Sequence, residues 1–261
     1  MKIQYKKATL SFKVNGKGKP VILLHGFLEN LSMWDNLVNS LSISYQVICP
    51  DLLGHGKSES IGYVHTMEDM ADALDAILNH LNVDKGVFIG HSMGGYVALA
   101  YAEKYQHKIG SLCLLNSTAE EDSEQRKQNR DRAMTQVKLN AHRFIKVSIK
   151  NLFRPKNRVI YKNRIKEIQE EACQMSLKSI IAALEGMKVR PNRESILNRH
   201  KESSLIIAGK KDPVLNYDDL KQMAKRNGIK LISLPDGHMS HIENKSELSY
   251  FLKHYVENLN F

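Results

Sequence analysis

The chain has 261 residues, 42% of them hydrophobic, enough for one large α/β domain with a sizeable core. No apolar stretch is long enough for a membrane-spanning helix, and the three cysteines, Cys49, Cys113 and Cys173, are too scattered for a disulfide framework or a zinc site. The formal charge is +10, and residues 120–200 hold 19 Lys and Arg against 10 Asp and Glu, so nearly all the excess lies there.

Met1–Lys7 is charged and no apolar stretch follows it, which reads as no signal peptide and a cytoplasmic protein. Residues 8–14 and 20–25 read as strands, and Asn15-Gly16 between them reads as a hairpin turn. The run Val21-Ile22-Leu23-Leu24 is apolar throughout, as in a strand buried on both faces, and it ends at His25-Gly26-Phe27. A helix carrying Trp34 and Leu37 on one side follows, then a strand at 45–49 and a turn-rich segment from Pro50 to Ser58. Apolar residues three and four apart make 66–81 a helix. Further strands are expected at 86–89, 111–115, 204–208 and 230–234, with a terminal helix over 246–258. Cys49 and Cys113 fall in strand-like runs and read as buried small hydrophobes.

Alternating strands and helices imply an α/β fold, a mostly parallel open sheet with helices on both faces. Residues 119–200 are polar, basic and helix-forming, broken at Pro155 and Pro191. They read as a helical insertion between a core of residues 1–118 and its second part, 201–261. The basic block suggests an anionic substrate or partner, and a solvated basic surface explains it as well. Acids are interspersed and no nucleic-acid motif is present, so no nucleic-acid partner is expected.

Gly90-His91-Ser92-Met93-Gly94 lies between an apolar strand and a helix. A serine on so sharp a strand-to-helix turn needs small neighbours two residues away, and G-x-S-x-G in this context is a nucleophile elbow. A serine hydroxyl needs a base within hydrogen-bond reach, and the base needs an orienting carboxylate. In an open parallel sheet such groups gather beyond the C-terminal strand ends. Asp212 follows the strand at 204–208 and His238 follows the one at 230–234, giving the chain order Ser, Asp, His. Met93, the residue after the serine, supplies one main-chain oxyanion donor.

The elbow, the His25-Gly26 step, Asp51-Leu52-Leu53-Gly54-His55-Gly56-Lys57-Ser58 and Gly237-His238-x4-Glu243 together resemble an α/β-hydrolase of the esterase/lipase type, over nearly the full length. The resemblance implies that His238 is the base, with His241 its competitor, and that Phe27 gives the second oxyanion N–H. It casts Asp51, Gly54, Gly56 and Ser58 as structural. Asp236 lies too close in sequence to reach behind the His238 ring. The basic insertion resembles the family's cap. Its apolar stripes (Phe144 to Phe153, and Ile180 to Met187) either line an acyl pocket or pack the helices together. Met187, where the cap returns to the core, is the pocket candidate, with His25 and His91 as further wall candidates that are read more as packing residues than as catalysts.

The expected activity is hydrolysis of a small-molecule carboxylic ester, in the manner of a serine esterase, with no metal or organic cofactor. A serine rather than an aspartate at the elbow argues against the dehalogenase and epoxide-hydrolase branches. Thioester or carrier-bound acyl cleavage, carbon–carbon bond hydrolysis, a lactonase, a menaquinone-pathway lyase, a perhydrolase and a ligand receptor share the scaffold.

Overall fold

The computed structural model describes residues 1–259. Its eight strands are β1 (Lys2–Tyr5), β2 (Ala8–Asn15), β3 (Pro20–Leu24), β4 (Gln46–Pro50), β5 (Gly86–His91), β6 (Ile109–Leu115), β7 (Leu205–Gly209) and β8 (Lys230–Leu234). They form one sheet in the order β1-β2-β4-β3-β5-β6-β7-β8. β1–β2 and β2–β4 pair antiparallel, and every other pairing is parallel. The helices are α1 (Asp35–Leu41), α2 (Met67–His80), α3 (Met93–Lys104), α4 (Glu124–Leu152), α5 (Asn157–Ile160), α6 (Lys162–Ala172), α7 (Leu177–Lys188), α8 (Glu194–Arg199), α9 (Tyr217–Arg226), α10 (Ser240–Glu243) and α11 (Lys245–Glu257). Helices α4 to α8 all lie between β6 and β7, so the block read as a helical insertion is helical.

The central strands alternate between two apolar layers. Val21, Leu23, Val87 and Ile89 pack with Trp34, Leu37, Leu248 and Leu252 on one face. Ile22, Leu24 and Phe88 pack with Met70, Leu74, Val97 and Tyr101 on the other. Each such side chain, removed from water, contributes about 1.5–3 kcal/mol, and burial on both faces is why these strands read as unbroken apolar runs. Cys49 and Cys113 lie among them, and burial pushes the Cys49 thiol up to about 12.

Local signals set the helix boundaries. Thr66 accepts from the Asp69 N–H at 3.0 Å while the Asp69 carboxylate accepts from the Thr66 N–H at 3.3 Å, a capping box that starts α2. Helix α4 is broken at Asn140 (φ −160°, ψ 90°), whose side chain accepts from the Arg143 N–H at 2.9 Å and starts a second helical run.

The Asn15-Gly16 hairpin does not form. β4 lies between β2 and β3, with Asn15 in register with Val47, so the turn carries the chain past β4 rather than back along β2. The turn backbone lies against the Ser42 and Tyr45 carbonyls, and Gly16 (φ +75°) has no Cβ to strike them. From β3 the chain steps to β4 on one side, then returns to β5 on the other. That reversal opens a crevice at the C-terminal ends of β3 and β5, where ligands bind in open α/β sheets.

Candidate active site

Ser92 sits in the crevice between β5 and α3 with φ 51° and ψ −115°. A non-glycine residue held there costs about 1–3 kcal/mol and persists only where its surroundings fix it. Here they do. The Ser92 N–H donates to the Leu115 carbonyl at 3.0 Å, and the Ser92 carbonyl accepts from Ser117 Oγ at 2.8 Å and from the Gly95 N–H at 3.0 Å. The strand and helix approach so closely that a Cβ on Gly90 would overlap the Gly94 carbonyl, and one on Gly94 would overlap the Leu24 carbonyl.

His238 follows β8, and its Nδ1 lies 2.7 Å from Asp212 Oδ2 beyond β7. The carboxylate can only accept, so Nδ1 carries the proton and Nε2 is left for the serine side. Both side chains are almost wholly buried. Asp212 Oδ1 accepts from the Val214 and Leu215 N–H groups at 2.7 and 3.0 Å, and Oδ2 also accepts from Asn116 Nδ2 at 3.1 Å. Burial pushes this carboxyl up, but the His238 ring and the two N–H groups outweigh it and hold it below the ordinary aspartate value. Asp236 is taken up by Arg154 at 2.9 Å and Asn244 at 3.1 Å. Asp51 accepts from the Leu31 and Lys57 N–H groups, both at 2.9 Å, as a turn stabiliser should.

The histidine loop is fixed from two sides. Its carbonyl at His238 accepts from His91 Nε2 at 2.9 Å, and His91 Nδ1 lies 2.7 Å from Glu29 Oε2. Both ring nitrogens of His91 therefore face acceptors, which calls for the imidazolium. Burial pulls that ring down, but the Glu29 carboxylate and the His238 carbonyl raise it above its ordinary value. Burial in turn raises Glu29, and the charge and hydrogen bond of His91 more than reverse this. The His241 ring is largely withdrawn from solvent and pushed down to about 3 by that desolvation, so it is neutral, with Nε2 at 3.7 Å from Glu29 Oε1. Glu29, His91 and His241 bring their donor atoms within 4.8 Å of one another. With Nδ1 turned to Glu29 and Nε2 to the His238 carbonyl, His91 has both ring nitrogens spent within the fold. Across the loop, Glu243 accepts from the Met239 and Arg154 N–H groups at 3.1 and 2.9 Å and ties the loop to the end of α4.

Ser92 and His238 open into one cavity of about 100 Å³, whose wall includes Phe27, His91, Tyr96, Leu152 and Met187. Met187 and His91 are thus on the wall. His25 is not: it is fully buried, its Nε2 accepts from the Leu52 N–H at 2.9 Å, and its Nδ1 donates to the Gly26 carbonyl at 2.8 Å. The expectation for His25 is corrected, because its ring pins the end of β3 to the turn after β4. A larger groove, about 720 Å³, lies against α11 and β8 and contains none of these residues.

Residues 19–245 match the family model described as alpha/beta hydrolase fold. The chain belongs to the α/β-hydrolase family. An esterase from Thermogutta terrifontis, solved with malate bound, superposes on this α/β-hydrolase chain with a TM-score of 0.90 at 31% identity, covering 98% of this chain and 97% of that one. The enol-lactonase of Burkholderia xenovorans LB400 shares the fold at TM-score 0.90 and 19% identity, over 99% of this chain and 100% of its own. A cis-3-alkyl-4-alkyloxetan-2-one decarboxylase of Shewanella oneidensis is 35% identical over 108 residues, 40% of this chain and 34% of its own length. The matched stretch spans about a third of the length of the first such curated relatives.

Several residues at this α/β-hydrolase site escape a sequence reading. Glu29 and Asn116 act through partners 62 and 96 positions away, which no local pattern reveals. Arg126 and Arg130 also line the cavity, at a spacing that puts them on one helix face, but nothing sets them apart among so many basic residues. Of the apolar stripes in the insertion, Leu152 and Met187 reach the cavity, whereas Ile145, Ile149, Phe153, Ile180 and Leu184 pack in the core and Val147 is exposed.

Proposed function

We propose that this α/β-hydrolase is a serine esterase that cleaves short carboxylic esters through an acyl-enzyme. The observation that carries the reading is Ser92 on its strained turn sharing one cavity with His238, whose far nitrogen is held by buried Asp212. Ser92 Oγ attacks the ester carbonyl while His238 Nε2 takes its proton. Asp212 holds the ring's orientation and stabilises the imidazolium that forms. The negative charge on the tetrahedral oxygen is met by the N–H groups of Met93 and Phe27. Met93 is the first residue of α3, where the amide has no acceptor within the helix. The leaving alcohol receives the proton from His238. Water, activated by the same ring, then cleaves the acyl-enzyme and restores Ser92.

Helices α4 to α8 act as the cap, since Leu152, Met187 and the two arginines they contribute roof the cavity. A cavity of about 100 Å³ falls well below the usual range for drug-sized ligands, which favours short acyl groups. The likeness to an esterase at 31% identity supports the reading. The experiment is hydrolysis of p-nitrophenyl esters from acetate to long chains, by wild type and by Ser92→Ala. The expected result is fastest turnover of short esters and a loss of about 10⁴-fold or more on substitution. A Ser92→Ala protein that keeps its activity would overturn the assignment.

A further inference from the structure

Arg126 and Arg130 lie one turn apart near the start of α4, and both line the cavity that holds Ser92. Behind them is Asp122, its carboxylate wholly buried. Arg130 grips that carboxylate through Nε and through Nη2 at 3.4 Å, Arg190 Nη1 reaches it at 2.8 Å, and Arg126 Nε stands at 3.7 Å. Three guanidinium groups therefore surround one carboxylate. Arg190 does not line the cavity: it also donates to the Met187 and Glu120 carbonyls at 2.8 and 3.1 Å and stacks 4.0 Å above the Tyr96 ring.

The other two retain donor capacity at the cavity. Arg130 Nη1 faces the Met187 sulfur at 3.5 Å, a weak acceptor for a cationic donor, and Met187 is itself on the cavity wall. Arg126 makes a 3.1 Å bond from Nη2 to the carbonyl of Val214, which also lines the cavity, and its side chain is a third exposed. The remaining carboxylates at the site, Glu29 and Asp212, are buried and paired with His91 and His238; Asp212 also accepts two backbone N–H bonds and Glu29 Oε2 one, while Glu29 Oε1 has no hydrogen-bond partner. They do not neutralise the arginine side. A partly enclosed cationic fork beside a nucleophile is suited to a planar anion, because guanidinium and carboxylate meet through paired, charge-assisted hydrogen bonds.

We propose that Arg126 and Arg130 bind a free carboxylate of the substrate, so that the esters this protein turns over are short hemiesters of dicarboxylic acids or O-acyl esters of hydroxycarboxylic acids. This rests on the serine-esterase reading. The competing role is purely structural, with the arginines pinning α4 to the core through Asp122.

The test compares p-nitrophenyl hemisuccinate with p-nitrophenyl butyrate, which differ only by a terminal carboxylate in place of a methyl. The pair 4-acetoxybenzoate and phenyl acetate places the carboxylate on the leaving side. After subtraction of uncatalysed hydrolysis, wild type should prefer the carboxylate member of at least one pair in kcat/KM. Arg130→Gln and Arg126→Gln should each reduce that preference about 10- to 100-fold. Arg126 is the safer variant, being partly exposed and farther from Asp122. A wild type that favours the neutral member of both pairs, or variants that slow both members alike, would overturn the inference and leave the esterase reading standing. Ser92→Ala that retains hydrolysis would overturn the esterase reading instead. Calorimetric titration of Ser92→Ala with monomethyl succinate and with methyl butyrate reads the same preference without turnover. Equal or tighter binding of the neutral ester there also overturns it.

Discussion

Asp212 and Glu29 are both buried carboxylates paired to a histidine, yet they should fail differently when neutralised. Asp212→Asn leaves the volume unchanged but removes the acceptor that fixes the His238 tautomer. The expected result is a fall in kcat of about 10⁴-fold with near-native stability, measured with a short nitrophenyl ester and a urea melt. Glu29→Gln strands the His91 imidazolium among buried groups, so the expected cost is about 3–5 kcal/mol of stability. The pH dependence gives the sign. His91 is raised above its ordinary 6.5, so its protonation contributes stability that is fully present below pH 6.5 and is lost as pH rises through the higher folded value. Glu29 is depressed below 4.5, so its share is present above pH 4.5 and is lost as pH falls through the lower folded value. Urea unfolding of wild type and Glu29→Gln across neutral to alkaline pH should show wild type losing its advantage with rising pH. A difference that stays constant or grows would exclude the charged pair. Ser92, Asp212 and His238 were legible because fold topology assigns such groups to strand ends. Glu29, Asn116 and the two arginines were not, because their roles exist only through contacts distant in sequence.

At the scale of elements, the closeness of β3, β5 and α3 sets where Ser92 stands. A methyl at Gly94 would meet the backbone oxygens of Leu24 and His25, and backbone at the centre of a sheet cannot yield as a side-chain tip can. Gly94→Ala should therefore lower stability by about 1–3 kcal/mol by overpacking and displace the loop that bears Phe27 and Glu29. Its urea midpoint should fall and its kcat with it, whereas an unchanged midpoint would show that α3 is free to move. The same packing explains which elements the sequence announces. β3, β5, β6 and β7 are buried on both faces and read as apolar runs. β1, with its charged and half-exposed edge sequence, gives no such signal and appears only in the structure. The false hairpin arose because turn chemistry shows that a chain turns but not which strand it pairs with next.

For the whole molecule, the +10 charge has two separable consequences. Most basic residues of the insertion are exposed and screened by salt, while Arg130 and Arg190 are largely withdrawn from solvent. Hydrolysis of a neutral ester should thus vary little with ionic strength, and that of an anionic ester should fall as salt rises, since steering acts only on charge. A steep salt response with the neutral ester would point to a salt-sensitive cap rather than to steering. Charge asymmetry in the sequence left an anionic ligand and a solvated basic surface both open, and only the fold separates the arginines at the cavity from those in bulk solvent.

The central claim is that Ser92 is the nucleophile, and covalent trapping tests it most directly. Wild-type protein treated with diethyl p-nitrophenyl phosphate and digested for mass spectrometry should carry one diethylphosphoryl group, on the peptide containing Ser92, in step with loss of esterase activity. Ser92→Ala should remain unlabelled. An adduct on another residue, or full inactivation without an adduct on Ser92, would contradict the account.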